Sequence, residues 1–157
     1  MSPSDANESK RNQKVARLEN GTVVDHLNPG LAILAIQVLD LPEDAMTLIG
    51  SNLQSGKMGR KDILKVAGVE LSSQDIQKLA LFGPHATVSL IRDFEVYRKF
   101  EVTLPETVSG ILRCPNPNCI TTHERVESRF QVLRDRPLRV RCHYCERRFD
   151  AHEIQIA

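Results

Sequence analysis

The chain has 157 residues, which is enough for one ordinary domain or two small ones. Hydrophobic residues make up 41% of it and aromatic residues 4%, with no Trp, so any core is mainly aliphatic. The formal net charge of +1 argues against a strongly basic nucleic-acid-binding protein and against an acidic tail. No stretch approaches the roughly 20 apolar residues of a membrane span, and the polar stretch 1–14 lacks the apolar core of a secretory signal. We therefore expect a cytoplasmic protein that binds no membrane.

The sequence up to residue 104 predicts a mixture of strands and helices. Four stretches are rich in β-branched residues or alternate in polarity, and we predict strands at 21–27, 45–53, 60–71 and 86–102. The last stretch is either one long strand or two strands paired around Arg92–Asp93. A first helix is predicted over the apolar run 31–39, with Asn28 as its cap and Pro29 at its first position. Ser72 and Asp75 form a capping box for a second helix, which Gly83 closes.

The order of these elements is strand–helix–strand–strand–helix–strand, which is typical of a ferredoxin-like (βαββαβ) domain. We expect an α+β protein in which residues 15–104 form this domain, with two helices on one sheet face and the other face free. A free sheet face or edge favours self-association. Residues 1–14 are predicted to be a flexible tail, and Pro105 and Gly110 indicate a linker over 103–110.

The segment 111–157 is too short to stabilise a core alone, because units below roughly 50 residues usually need a metal, disulfides or a partner. It contains all four cysteines of the chain, Cys114, Cys119, Cys142 and Cys145. Two short cysteine loops together supply the four corners of a tetrahedral site, and disulfides rarely persist in the cytosol. We therefore predict a small all-β, zinc-ribbon-like domain that folds around one structural Zn²⁺ per chain.

Two alternatives concern the chemistry of this site. A rubredoxin-like iron site is possible, although such sites usually have C-x2-C in both loops. With four thiols present, we expect His123, His143 and His152 to be bystanders rather than ligands. Four protein ligands also leave no open metal position, and the sequence has no evident nucleophile–base pair. These observations argue against an enzyme. An enzyme that uses its lysine cluster on phosphorylated substrates is the remaining alternative, and nucleotide turnover by the isolated chain would favour it.

Nucleic-acid binding is the other alternative, because zinc ribbons often have that role. From residue 110 onward the chain has nine Arg, no Lys and six acidic residues. The acidic residues are interspersed among the arginines, and only Phe130, Tyr144 and Phe149 are available for stacking on bases. We therefore expect no nucleic-acid contact, and instead a mixed-charge surface that is solvated or meets an acidic patch on a protein partner.

Four stretches resemble a known family: GTVVDHL, GSNLQSGKMGRKDILKV, LALFGPHATVSLIRDFEV, and CPNPNCIT followed by C-x-Y-C-E. Over about residues 15–155 they resemble the regulatory chain of aspartate carbamoyltransferase. The resemblance implies a non-catalytic subunit of pyrimidine biosynthesis. Its N-terminal domain is expected to bind nucleotide effectors, with CTP as inhibitor, ATP as activator and UTP as an aid to CTP, and to pair with a second regulatory chain. Its zinc domain is expected to dock on the catalytic chain.

The resemblance also implies a nucleotide site in the N-terminal domain. It places Asp25 and Lys65 at the ribose and base, Lys99 at the phosphates, and Lys61 and His26 on the phosphate side. Lys61 and Lys65 are four residues apart on a predicted strand, so both side chains point to one face. The expected lining of the base pocket is Leu18, Ile91 and Val96.

The expected contacts with the catalytic chain lie beside the zinc ligands. Asn116 and Asn118 stand in the loop between the first two cysteines, and Glu146 directly follows the last one. Asn and Pro both favour turns, so ordinary turn chemistry alone would explain both asparagines. The resemblance implies that this loop faces the catalytic chain, and we expect both amides to point outward.

Overall fold

The computed structural model describes residues 17–135 and 137–157, so the predicted tail 1–14 lies outside the described residues. The chain divides into two compact units between Val102 and Thr103. None of the helices in the described part of the chain has the length and apolar character that a membrane crossing requires.

The first unit is a five-stranded antiparallel sheet with two helices. Its elements in chain order are β1 Gly21–Leu27, α1 Leu31–Val38, β2 Thr47–Ser55, β3 Gly59–Ala67, α2 Ser73–Phe82, β4 Thr87–Arg92 and β5 Glu95–Glu101. The strands lie in the order β2-β3-β1-β4-β5, so β3 separates β1 from β2 as in a split βαβ arrangement. The ferredoxin-like prediction is confirmed for β1 to β4. The stretch 86–102 forms two paired strands, and β5 extends the sheet by one strand beyond that pattern.

One face of this sheet packs into the core with the helices. Val24, Leu64 and Val88 are opposite one another on β1, β3 and β4, and all three are fully buried. Asp62 lies on the same face as Leu64, because alternate residues of a strand share a face. Its carboxylate accepts hydrogen bonds from backbone N–H groups at the start of α1, which identifies this as the helix-covered face. Lys61 and Lys65 therefore lie on the opposite face.

The two helices begin in different ways. α2 has the predicted capping box, in which the Asp75 N–H donates to Ser72 Oγ over 3.2 Å and the Ser72 N–H donates to Asp75 Oδ2 over 3.3 Å. The predicted start of α1 is wrong. The Leu31 N–H donates to the Asn28 carbonyl in a turn, and Gly30, at φ 91°, precedes the helix. Asn28 and Pro29 lie outside α1, because Asp62 on β3 accepts the N–H groups that a local cap would otherwise satisfy.

The second unit contains short strands and very short helices. Its elements are β6 Thr107–Ser109, β7 Leu112–Arg113, α3 Ile120–His123, β8 Arg129–Asp135, β9 Leu138–Cys142, β10 Arg148–Asp150, the 3₁₀ turn Ala151–Glu153 and β11 Gln155–Ile156. β10, β9, β8 and β6 form a four-stranded sheet, and β7 pairs with β11. Phe130 and Val140 are fully buried at the centre of this unit.

The linker predicted over 103–110 is wrong for its second half. Thr107–Ser109 pairs with β8 and belongs to the second unit. The reason is burial: Val108 is opposite Phe130 and has only 1% of its surface exposed, so this stretch completes the core of the small unit.

Candidate metal centre and ligand-binding face

The four cysteines converge at one point in the second unit. Their sulfur atoms all lie within 4.8 Å of one another, with 3.7 Å between Cys114 and Cys145 and 3.8 Å between Cys119 and Cys142. Sulfur ligands about 2.3 Å from a tetrahedral zinc ion lie about 3.8 Å apart. The spacing therefore fits one four-coordinate metal ion, and three of the four residues are buried.

Two tight loops hold the four sulfur atoms in place. In the first loop, the Cys119 N–H donates to the Asn116 carbonyl and the Asn118 N–H donates to Asn116 Oδ1, both over 3.1 Å. In the second loop, the Glu146 N–H donates to the Cys142 carbonyl, and Glu146 adopts a left-handed φ of 61°. The amide of Asn116 does not point outward as expected. The residue is 7% exposed, because its side chain closes the first loop, whereas Asn118 and Glu146 are exposed.

The thiols have unequal acidities before a metal binds. Burial raises the pKa of Cys114 and Cys142. Burial acts in the same direction on Cys119, but the hydroxyl and the backbone N–H of Thr121 donate hydrogen bonds to its sulfur and lower its pKa to about 7. Only a bound cation can hold all four residues as thiolates in so small a volume.

Replacing Thr121 by Val is expected to weaken zinc binding about tenfold, because groups that donate to a metal ligand usually contribute tenfold or more to affinity. The hydroxyl of Thr121 lies 3.2 Å from the Cys119 sulfur. Competition for zinc with a chromophoric chelator measures the change. Thr122→Val is the matched control, since the Thr122 hydroxyl donates to the backbone carbonyls of Pro117 and Cys119 and not to sulfur. Equal losses in both variants would contradict a specific role for Thr121.

The helix-free face of the first unit carries the charged residues expected at the nucleotide site. Lys61 Nζ lies 3.1 Å from Asp25 Oδ1, and Lys61 is 2% exposed, which is unusual for a lysine. Lys65 is also buried. Burial lowers the pKa of Lys65, while the nearby Asp25 carboxylate acts in the opposite direction. Lys61 and Lys65 thus both interact electrostatically with the carboxylate of Asp25.

His26 lies at an irregularity beside this pair. Its φ of 58° coincides with a bulge in the pairing of β1 with β3. Its N–H donates to Asp25 Oδ1 over 2.6 Å, and its Nδ1 lies 3.0 Å from Thr87 Oγ1. The structure therefore brings His26, Asp25, Lys61 and Lys65 together.

Lys99 joins the same face from the edge strand. Lys65, Val23, Ser89 and Lys99 are opposite one another across β3, β1, β4 and β5, so their side chains share a face. Lys99 is exposed, and its Cα lies three strand spacings, about 14 Å, from that of Lys65. Lys65 and Lys99 thus lie at the two ends of one row of residues on the same face of the sheet.

The apolar residues predicted for the base pocket lie at the other end of β1. Ile91 is opposite both Gly21 and Val96, and Val96 is 54% exposed. Leu18 is buried just before β1. Ile91 and Val96 therefore lie next to each other on paired strands, about 13 Å along β1 from Asp25.

Asp62 is a residue that the sequence analysis missed. It has no exposed surface, and its carboxylate accepts hydrogen bonds from the N–H groups of Gly30, Ala32 and Asn52. Asn52 lies at a second bulge, in the pairing of β2 with β3. Asp62 thus fixes the start of α1 and one bulge beside the lysines of β3. The available signal was a charged residue directly before the apolar residues Ile63 and Leu64.

Comparison with known proteins identifies the family. A family model described as "Aspartate carbamoyltransferase regulatory chain, allosteric domain" matches residues 13–103. A second, described as "Aspartate carbamoyltransferase regulatory chain, metal binding domain", matches residues 106–155. The chain belongs to the family of aspartate carbamoyltransferase regulatory chains. The regulatory chain carries no catalytic role in this family, so the expectation of a non-enzyme is confirmed.

Similar regulatory chains occur in several organisms. Those of Pyrococcus abyssi (strain GE5 / Orsay) and Thermococcus gammatolerans are each 47% identical to this regulatory chain, over 144 and 143 residues. Each alignment covers 90% of this chain and 95% of the relative. The regulatory chain of Methanococcus aeolicus is 44% identical over 145 residues, covering 92% of this chain and 94% of the relative.

The two family matches follow the two units of the structure. The allosteric match ends at residue 103 and the metal-binding match contains all four cysteines. The predicted α+β fold, the family and the structural zinc site of this regulatory chain are confirmed together.

Proposed function

We propose that this regulatory chain binds a nucleoside triphosphate on the helix-free face of its first unit. CTP is the inhibitory ligand and ATP the activating one, with UTP as an aid to CTP. The observation that carries the proposal is the convergence of Lys61 and Lys65 on Asp25, in register with Lys99 across the sheet. A row of cations beside one carboxylate suits a ligand with both phosphates and sugar hydroxyls.

The burial of the two β3 lysines supports an anionic ligand. A buried ammonium group needs a compensating negative charge, and the Asp25 carboxylate interacts with both Lys61 and Lys65. A phosphate or ribose oxygen at this point would stabilise the charged form of Lys65, whose pKa burial lowers. Ligand binding is thereby coupled to the charge of this lysine.

The remaining residues fit the same ligand. Lys99, exposed on β5, is the phosphate contact, and Asp25 accepts hydrogen bonds from the ribose. His26, held by Thr87, lies on the phosphate side. Ile91 and Val96, with Leu18, supply the apolar contacts for the base.

The second unit is proposed to dock on the catalytic chain of aspartate carbamoyltransferase in the cytoplasm, and the first unit to pair with a second regulatory chain. Asn118 and Glu146 are exposed beside the metal centre and are positioned for direct contact with the catalytic chain, whereas Asn116 shapes the loop that presents Asn118.

An effector shifts the activity only if it binds one state of the assembly more tightly than the other. Such couplings are typically about 1–3 kcal/mol.

Replacing Lys99 by Gln is expected to lower the affinity for CTP and ATP alike, by about tenfold. A lysine–phosphate contact acts as a point charge and does not read the base. Calorimetric titration of the zinc-loaded chain with each nucleotide measures this. Lys57→Gln is the matched control, because Lys57 is an exposed lysine in the turn between β2 and β3.

The titration separates three outcomes. Cytidine should bind far more weakly than CTP to the unaltered chain if the lysines contact phosphate. Equal affinities of the Lys99 and Lys57 variants would remove Lys99 from the site. No binding of any triphosphate to the unaltered chain would overturn the proposed function.

A further inference from the structure

Lys61 is almost fully enclosed on the helix-free face of the first unit, where its ammonium group contacts one carboxylate. Lys61 Nζ lies 3.1 Å from Asp25 Oδ1 and donates to Asp25 Oδ2 over 3.3 Å. An ammonium group is seldom buried without such a partner. A contact with both oxygens also limits rotation of the carboxylate, so Lys61 fixes the orientation of Asp25.

The two partners of this ion pair differ in how much surface a ligand can reach. The Lys61 side chain is 2% exposed and the Asp25 side chain 19%. A molecule on the helix-free face can therefore touch the Asp25 carboxylate, whereas the Lys61 ammonium has almost no surface for direct contact. An ionised carboxylate can accept about four hydrogen bonds, so Asp25 can accept from a sugar hydroxyl and keep its contact with Lys61.

An irregular stretch of backbone helps to place the Asp25 carboxylate. The pairing of β1 with β3 shifts by one residue between Val24 and Leu27, and Asp25 and His26 lie within this bulge. Bulges often redirect a side chain beside a functional site. The His26 N–H donates to Asp25 Oδ1 over 2.6 Å. Asp25 is thus oriented by the backbone of His26 and by the ammonium group of Lys61.

The strand that carries Lys61 is fixed from its other face. Asp62, the next residue, lies on the helix-covered face and accepts hydrogen bonds from the N–H groups of Gly30, Ala32 and Asn52. A movement of the β3 backbone that exposed the Lys61 ammonium would break these hydrogen bonds. Lys61 is therefore held in its buried position beside Asp25.

Lys99 has the opposite environment. It is exposed on the edge strand β5 and lies across from Ser89 on the helix-free face. An exposed ammonium group on a flexible side chain can reach the charged groups of a ligand. The face thus has one cation that can contact a phosphate directly, and another whose effect on a ligand passes through Asp25.

We infer that Lys61 is a positioning residue and not a phosphate contact. It holds the Asp25 carboxylate in the orientation that receives the ribose hydroxyl groups, and it acts on the nucleotide through Asp25. The inference rests on the proposed function. It reassigns Lys61, which the family resemblance places on the phosphate side. Lys61 and Asp25 together then distinguish nucleotides by their sugar.

CTP and dideoxy-CTP test the inference, because the two ligands share the triphosphate and the base and differ in the ribose hydroxyl groups. In calorimetric titrations of the full zinc-loaded chain, CTP should bind about tenfold more tightly, since hydrogen bonds to a charged group are the strong ones. Lys61→Gln should lower the affinity for CTP about tenfold and leave the affinity for dideoxy-CTP unchanged. Lys99→Gln should weaken the binding of both ligands equally and preserve the preference for CTP. Lys57→Gln, which alters an exposed lysine in a turn, should change neither affinity.

The ratio of the two affinities separates the outcomes. An equal loss for both ligands in Lys61→Gln would overturn the inference, because it would indicate a phosphate contact or a general loss of structure. Equal binding of CTP and dideoxy-CTP to the unaltered chain would also overturn it, while triphosphate binding itself would stand. No binding of either ligand to the unaltered chain would overturn the proposed function and, with it, this inference.

Amine labelling of the unaltered chain gives a second readout that does not depend on the folding of a variant. Acetylation by a succinimidyl ester, followed by mass spectrometry, should modify Lys99 rapidly and Lys61 slowly, because Lys61 is buried against Asp25. CTP should slow the labelling of Lys99. Rapid labelling of Lys61 that CTP suppresses would show an accessible ammonium group in contact with the ligand and would overturn the positioning role.

Discussion

Removing zinc is expected to unfold the second unit, from Thr103 onward, and to leave the first unit folded. The second unit has few buried side chains, and four cysteine sulfur atoms lie at its centre. Structural zinc sites contribute about 10–16 kcal/mol of apparent binding free energy, which is as large as the whole stability of a typical domain. The small core cannot replace that contribution. Hydrogen exchange measured by mass spectrometry should show lost protection in β6 to β11 and retained protection in β1 to β4.

Single substitutions locate the effect at the sulfur atoms. Cys142→Ser should abolish stoichiometric zinc binding and give the same exchange pattern as chelation. His143→Ala is the matched control, because His143 is an exposed neighbour between two ligands and should leave the zinc content at one ion per chain. Retained protection in β8 and β9 after complete zinc removal would show that the second unit folds without the metal.

Replacing Asp62 by Ala is expected to destabilise the first unit by about 3–5 kcal/mol. The substitution leaves three backbone N–H groups, those of Gly30, Ala32 and Asn52, without their acceptor. Each unsatisfied buried group costs about 1–3 kcal/mol, and part of the cost is recovered where water reaches the donors. Urea denaturation of the zinc-loaded chain, followed by circular dichroism, measures the free energy of unfolding.

Two further variants make this measurement specific. Asp44→Ala removes an exposed aspartate from a turn and should change stability by less than about 0.5 kcal/mol. Asp62→Asn keeps one acceptor oxygen and should fall between the other two. If Asp62→Ala costs less than about 1 kcal/mol, water or another acceptor satisfies the three N–H groups, and Asp62 does not organise this part of the fold.

The predictable elements of the fold depend on short-range signals. The start of α2 follows from Ser72 and Asp75, because a capping box closes within four residues. The start of α1 does not, because its cap is Asp62, which lies thirty residues or more along the chain from the N–H groups it accepts. The same limit applies to 103–110. Pro105 and Gly110 are signals for a linker, but the burial of Val108 against Phe130 depends on a strand that comes later.

Some features of the metal site and of the lysine-bearing face also follow from short-range sequence signals, whereas others depend on the folded structure. Two short cysteine loops are sufficient to predict the metal site, since the spacing within each loop already places two sulfur atoms on one ion. The inward position of Asn116 was missed, because outward exposure of a loop amide depends on which hydrogen bonds close the loop. The face shared by Lys61 and Lys65 follows from the two-residue period of a strand. Their burial beside Asp25 does not follow from that period.

Composition, cysteine spacing and strand periodicity thus suffice for the two-part α+β organisation, the metal and the shared face of the β3 lysines, because each depends on residues close together in the chain. The register that puts Lys65 and Lys99 in one row and the capping of α1 by Asp62 arise only in the folded chain. Each of these joins segments far apart in sequence. Their alignment is set by which apolar side chains can be buried together, and no local pattern encodes that choice.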